Sequence, residues 1–105
     1  MPLNPDISSE AMSLIALFNN AKDLIVVSQK RKEADDVVKA ATIYAQNVGI
    51  NLSEDTLEKI ENFSSVLLDS RPNTLVYILQ CIVQDIVTAE KMKRMKSKKN
   101  SRKSI

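Results

Sequence analysis

Apolar residues recur at helical spacing through the first half of the chain. The first series follows Ser8 or Ser9, either of which can cap a helix, and comprises Ala11, Leu14, Ile15, Phe18, Ala21 and Ile25. A second series comprises Ala34, Val37, Val38, Ala41 and Tyr44 or Ala45. Six polar residues, 28–33, lie between them. The pattern favours two helices joined there, and one continuous helix stays open as the alternative.

Two further helices are predicted after Gly49. Ser53 can cap the third, which has acidic residues in its first turn and apolar residues at Leu57, Ile60, Phe63 and Leu67. The polar segment 69–73 ends this helix, and Pro72 suits the first turn of the next one.

The fourth predicted helix is the most apolar part of the chain. Apolar residues between 75 and 87 cover more than one side of it, so it must be buried on several sides. In a chain of 105 residues this predicts a second subunit. We expect the core of a homodimer to consist of Leu75, Ile78, Leu79, Ile82 and Ile86.

The junction between the second and third helices has a different period. Val48, Ile50 and Leu52 alternate with Asn47, Gly49 and Asn51, which is typical of a short strand. The alternative is a helix end, with Gly49 in a left-handed conformation and the next N-cap following. The expected fold is therefore mainly α, with four helices and at most one short strand. An all-α four-helix bundle is the alternative.

The composition argues against catalysis. The chain has no His, one Cys and one Gly. It therefore lacks the commonest general base, an ordinary zinc-ligand set and a Gly-rich phosphate loop. Cys81 lies among apolar residues and is expected to be an inert thiol. We expect no catalytic residue, no metal site and no cofactor, and thus no enzyme.

The expected location is the cytoplasm. A lone Cys fits a reducing compartment. Residues 1–6 lack the features of a signal peptide, and no apolar stretch is long enough to span a bilayer. Membrane insertion is not expected.

Charge divides the chain into an acidic body and a basic end. Residues 1–90 contain all thirteen acidic residues and seven basic ones, a net charge of −6. The end of the chain has eight basic residues and no acidic one: Lys91, Lys93, Arg94, Lys96, Lys98, Lys99, Arg102 and Lys103. We expect an N-terminal helical segment over 1–46, a compact segment over 47–90 packed with it, and a basic, disordered tail over 91–105.

The segment from residue 47 to about 83 resembles the ribbon-helix-helix DNA-binding family, which includes the Arc and MetJ repressors. The features that carry this resemblance are the alternating residues 47–52, the sequence Leu52-Ser53-Glu54, an amphipathic helix, and Ser70-Arg71 opening an apolar helix. In that family two chains pair their strands into a ribbon that enters the major groove of DNA.

The resemblance implies a homodimer that binds double-stranded DNA as a repressor or a plasmid or phage accessory factor. Asn47, Gly49 and Asn51 would face the bases, where Asn can pair with adenine. Ser70 and Arg71 would bind a phosphate at a helix start, and the eight basic residues of the tail would contact further phosphates. Residues 8–46 would support oligomerisation or bind another protein.

The second hypothesis is a helical protein-interaction module that does not bind nucleic acid. Small inhibitors, secretion chaperones and bacteriocin immunity proteins belong to this class. Immunity proteins are similar to this chain in size, in their four-helix bundle and in their basic C-terminus. This similarity is one of fold alone.

Overall fold

The computed structural model describes the backbone of residues 7–103 and the side chains of residues 7–92. The helices are α1 (Ser9–Val26), α2 (Arg31–Asn47), α3 (Glu54–Ser65) and α4 (Pro72–Lys103). Between residues 7 and 103 there is no strand. The predicted mainly α fold is confirmed, in its all-α form.

The predicted helix starts agree with the structure. The Ser8 hydroxyl accepts a hydrogen bond from the backbone N–H of Ala11 at 3.1 Å, and the Ser53 hydroxyl accepts one from Thr56 at 3.1 Å. Pro72 is the first residue of α4. Residues 27–30 separate α1 from α2, with Gln29 in the left-handed region at φ 57°. The first two helices are therefore separate.

The strand predicted at residues 47–52 is absent. Helix α2 continues through Asn47, and Gly49 has a φ of 78°. The N–H of Ile50 donates to the carbonyl of Ala45 at 2.8 Å, and the N–H of Gly49 donates to Gln46 at 3.3 Å. These two bonds form a Schellman motif, in which a left-handed glycine ends a helix and the following apolar residue packs back. The alternative interpretation of Gly49 was the right one.

All four helices contribute to one core. Helix α1 packs against both α2 and α4, and α3 packs mainly against α4. Helices α2 and α3 touch each other little. Both Phe side chains, Phe18 and Phe63, are fully buried, and the remaining core is aliphatic. Small residues of α2, including Ala34, Ala41 and Ala45, are buried and permit its close approach to α1.

Helix α4 is covered by its own chain. All five residues expected in a dimer core are buried within one molecule: Leu75, Ile78, Leu79, Ile82 and Ile86. Helices α1 and α3 cover them, which leaves an exposed strip that includes Tyr77, Gln80, Gln84 and Thr88. The burial of α4 therefore does not require a second subunit.

Side-chain bonds attach α2 to the region that follows it. The guanidinium of Arg31 donates to the carbonyl of Leu67 at 2.8 Å and to that of Ser70 at 2.6 Å. The hydroxyl of Ser64 donates to the carboxylate of Asp35 at 2.5 Å. These bonds compensate for the sparse packing between α2 and α3. At its far end, α4 continues as a helix to Lys103, through most of the segment expected to be a disordered tail.

Candidate functional site

A depression lies at the end of the bundle where residues 48–53 join α2 to α3. We call the depression between this loop and α4 the end groove. Its volume is about 440 Å³. Its apolar lining consists of Ile50, Leu52, Ile86, Ala89 and Met92, and its polar lining consists of Asn51, Ser53, Thr56, Asp85 and Glu90. Met92 is 56% exposed and lies where α4 leaves the bundle.

A hydrogen-bonded network fixes the α3 side of the end groove. Thr56 is only 3% exposed, and its hydroxyl donates to the Asp85 carboxylate at 3.3 Å. The Lys59 ammonium lies 2.6 Å from the same carboxylate and 3.5 Å from that of Asp55. The hydrogen bond to Asp85 raises the pKa of Lys59, and burial opposes this effect without reversing it. The network aligns the first turn of α3 with α4.

The N-cap residue of α1 is hydrogen-bonded to a residue that lines the end groove. The backbone N–H of Ser8, which caps α1, donates to a carboxylate oxygen of Glu90 at 3.3 Å. Glu90 is 8% exposed despite its charge. Contacts from α1, α3 and the loop thus converge on the same stretch of α4, residues 85–92.

A second depression lies on the other side of the loop, between α2 and α3. Its volume is about 260 Å³, and its lining includes Thr42, Ala45, Ile50, Leu52 and Leu57. We call it the α2–α3 groove. Because α2 and α3 pack little against each other, Leu57 is 39% exposed. An apolar side chain thus forms part of an open surface.

Four carboxylates surround Leu57 on the exposed side of α3. They belong to Glu54, Asp55, Glu58 and Glu61, and we call this surface the acidic face. Among the side chains of residues 7–92, a lysine pairs with only one of the four, Asp55. The acidic face therefore keeps most of its negative charge, next to the apolar linings of both grooves.

The residues predicted to face DNA bases are all exposed. Asn47, Gly49 and Asn51 lie on the surface, whereas the alternate residues Val48, Ile50 and Leu52 are partly buried. The exposure alternates as predicted, but a helix end and a loop produce this alternation. Asn47 is helical and Gly49 left-handed, so the three residues do not share one face of a strand.

The backbone groups predicted to bind a phosphate at the start of α4 form hydrogen bonds within the protein. The backbone N–H of Ser70 donates to the carbonyl of Val66 at 3.0 Å, and its carbonyl accepts from Arg31. Arg71 is exposed, and its carbonyl accepts the first backbone bonds of α4. A phosphate could therefore reach the Arg71 side chain but not the N–H of Ser70.

The basic residues expected to contact phosphates follow the bundle along α4. Lys91 is exposed. The side chains of the other seven lie outside the described residues: Lys93, Arg94, Lys96, Lys98, Lys99, Arg102 and Lys103. Their backbone is the helical continuation of α4, which we call the α4 extension (residues 91–103).

Sequence reasoning missed two residues of this region and misplaced a third. Thr56 is buried and Leu57 exposed, although the sequence placed Leu57 in the core. The sequence did contain a pattern that predicts the burial of Thr56, because Thr56, Ile60, Phe63 and Leu67 recur at intervals of four, three and four. Glu90 accepts a hydrogen bond from Ser8, which is 82 residues away, and nothing in the local sequence predicted its burial.

The described residues offer few other candidates for a functional site. Within the described residues there is no cluster of three or more His, Cys, Asp or Glu side chains suited to a metal ion. No helix in that part of the chain is long and apolar enough to cross a membrane. Cys81 is partly buried and unbridged, and a hydrogen bond with its thiol raises the pKa of Tyr77.

In comparisons with known proteins, no protein family, no curated protein and no solved structure matches this chain.

Proposed function

We propose that this protein is a non-enzymatic, cytoplasmic interaction module that binds a partner polypeptide at the loop end of its bundle. The observation that carries the proposal is the adjacency of three features. The end groove and the α2–α3 groove share Ile50, Asn51 and Leu52, and the acidic face shares Leu57 with the α2–α3 groove. The two apolar grooves and the acidic face therefore adjoin one another at the loop of residues 48–53.

The dimensions and chemistry of the surface fit a protein segment. The end groove, at about 440 Å³, falls within the usual range of binding pockets, roughly 300–1,000 Å³. Its apolar lining can take the side chains of a helix or extended segment, and the carboxylates around it favour a partner with basic residues. The network of Thr56, Lys59 and Asp85 holds the wall in place before binding.

Bacteriocin immunity proteins are similar to this chain in size, helix count and basic C-terminus. This is an analogy of architecture and charge, and it names no partner.

DNA binding is the second candidate function, and the α4 extension favours it. Eight positive charges on one helical segment can neutralise several phosphates, which makes affinity depend steeply on salt. Such binding needs no ribbon and would be independent of sequence. Replacing the eight basic residues by Gln should abolish duplex binding by the intact chain at low salt. Undiminished binding would place the DNA contacts elsewhere.

Site-specific photocrosslinking tests the interaction module. A photoreactive amino acid replaces Leu57 in the intact chain, and a second version carries it at Asn20, an exposed position on α1. In cells, we expect the Leu57 version to form a discrete crosslink to a polypeptide whose mass differs from that of a second copy of this chain, and the Asn20 version to form none. Identical patterns at the two positions would refute binding at the loop end.

A further inference from the structure

The acidic face and the α4 extension carry charges of opposite sign. The acidic face has four carboxylates within eight residues of α3, and the α4 extension has eight basic residues and no acidic one. In the extension, Lys91, Arg94, Lys98 and Arg102 recur at intervals of three or four residues, which places these positions along one side of a helix. On the acidic face, Glu54, Glu58 and Glu61 have the same kind of spacing.

The fold keeps these surfaces apart within one molecule. Thr56 and Lys59, in the first half of α3, both reach Asp85 of α4. Helix α3 therefore begins beside residues 85–90 and runs back along the bundle, whereas the α4 extension leaves the bundle in the opposite direction. The extension of one chain continues past the start of its own α3 and does not lie along it.

The lengths of the two elements match. Helix α3 has 12 residues, which at 1.5 Å per residue is about 18 Å, and the extension is about 20 Å long by the same measure. Two copies related by a two-fold axis can therefore meet end to end at their loops. Each extension then runs past the axis and alongside α3 of the other copy, and this arrangement closes on itself as a dimer.

We propose that the acidic face is a docking site for the α4 extension of a second copy, so that two chains exchange their extensions reciprocally. Charge complementarity and the matched lengths select this occupant. The exposed Met92 and the apolar linings of the two end grooves come together near the axis. This contact differs from the dimer core predicted from the sequence, since Leu75, Ile78 and Ile82 stay inside each chain.

Exchange of the extensions would also regulate the proposed binding function. This consequence rests on the proposed function, because it occupies the same loop end. A partner polypeptide and a second copy would compete for the acidic face and the grooves. Low salt would favour the closed dimer, and added salt would screen the attraction and free the surface.

Sedimentation velocity of the intact chain at about 50 mM and about 500 mM salt tests the dimer, since this change in ionic strength shortens the screening length roughly threefold. We expect a two-chain particle at low salt and a single chain at high salt. The variant Glu58→Lys/Glu61→Lys should be monomeric at both. The control Asp23→Lys/Asp36→Lys makes the same charge change at exposed positions of α1 and α2 and should dimerise like the parent.

A charge swap makes the test specific for the contact. The variant Arg94→Glu/Lys98→Glu should also be monomeric alone. Its mixture with Glu58→Lys/Glu61→Lys should restore a two-chain particle, because one of the two exchanged contacts is then the parent contact and the other pairs the exchanged charges. A parent chain that is monomeric at low salt would overturn the proposal. So would a dimer that survives either pair of substitutions. Neither result would remove a Leu57 crosslink to another protein, so the proposed function is judged separately.

Discussion

The substitution Gly49→Ala distinguishes the helix end seen here from the strand that the sequence first suggests. Gly49 has a φ of 78°, and a Cβ added there would meet no atom within 4 Å. The cost of Ala is therefore conformational: about 1–2 kcal/mol for the left-handed region. Ala also restricts the unfolded chain, which offsets roughly 0.4–1 kcal/mol. We expect a net loss of about 1 kcal/mol in the free energy of unfolding.

If residues 47–52 formed a strand, Gly49→Ala would raise the free energy of unfolding instead of lowering it. Glycine weakens a strand by about 0.5–1 kcal/mol relative to alanine, so Gly49→Ala would stabilise a ribbon. Urea unfolding followed by far-ultraviolet circular dichroism, at one protein concentration, measures the difference. With a urea dependence of roughly 1–3 kcal/mol/M, the midpoint should fall by about 0.3–1 M. An unchanged or higher midpoint would refute the Schellman motif at residues 45–50.

Gln29 provides the matched control for this substitution. It has a φ of 57° in the loop between α1 and α2 and bears the strain that Gly49 avoids. The substitution Gln29→Gly should therefore leave stability unchanged or raise it, by up to about 1 kcal/mol. If both substitutions destabilise the protein equally, φ at these two positions does not determine the effect.

Three further substitutions test the core and the contacts at the two ends of the bundle. Phe63→Ala should lower the free energy of unfolding by about 3–5 kcal/mol in urea titrations, because it empties a fully buried site. Arg31→Met should cost about 1–3 kcal/mol, because two carbonyls lose their donor. Asp85→Asn should destabilise the protein at pH 7, and the difference from the parent should shrink above pH 10.5, the ordinary pKa of Lys59.

The sign of the pH effect follows from the raised pKa of Lys59. Its stabilising contribution is complete below pH 10.5 and disappears as the pH rises through the pKa in the folded protein. A difference between Asp85→Asn and the parent that grows at alkaline pH would contradict this account. For the core, Phe63→Leu should cost much less than Phe63→Ala. For the contact between Arg31 and the carbonyls of Leu67 and Ser70, Arg31→Lys should retain part of the stability that Arg31→Met loses.

The local features of the fold could be predicted from the sequence. Capping by Ser8 and Ser53 and the place of Pro72 depend on residues within one helical turn, and the sequence alone identified them. Burial of Phe18 and its neighbours in α1 follows from helical periodicity in the same way. Each of these features depends on neighbouring residues, so a single sequence suffices.

Contacts between distant elements could not be predicted. The sequence shows that α4 must be covered, but not that α1 and α3 of the same chain cover it. Alternating exposure at residues 47–52 arises from a strand or from a loop that packs every second residue, and only the backbone distinguishes them. The α2–α3 groove likewise exists because α2 and α3 pack little against each other, and no local sequence pattern predicts such packing.

Sequence preference in DNA binding tests most directly whether the bundle is an interaction module or a DNA reader. A chain ending at Glu90 keeps every core residue and lacks the α4 extension. We expect it to select no sequence from a random pool of duplexes, and the intact chain to bind duplexes without preference and only at low salt. The account would be contradicted if the shortened chain selected one sequence and Asn47→Ala/Asn51→Ala abolished that selection.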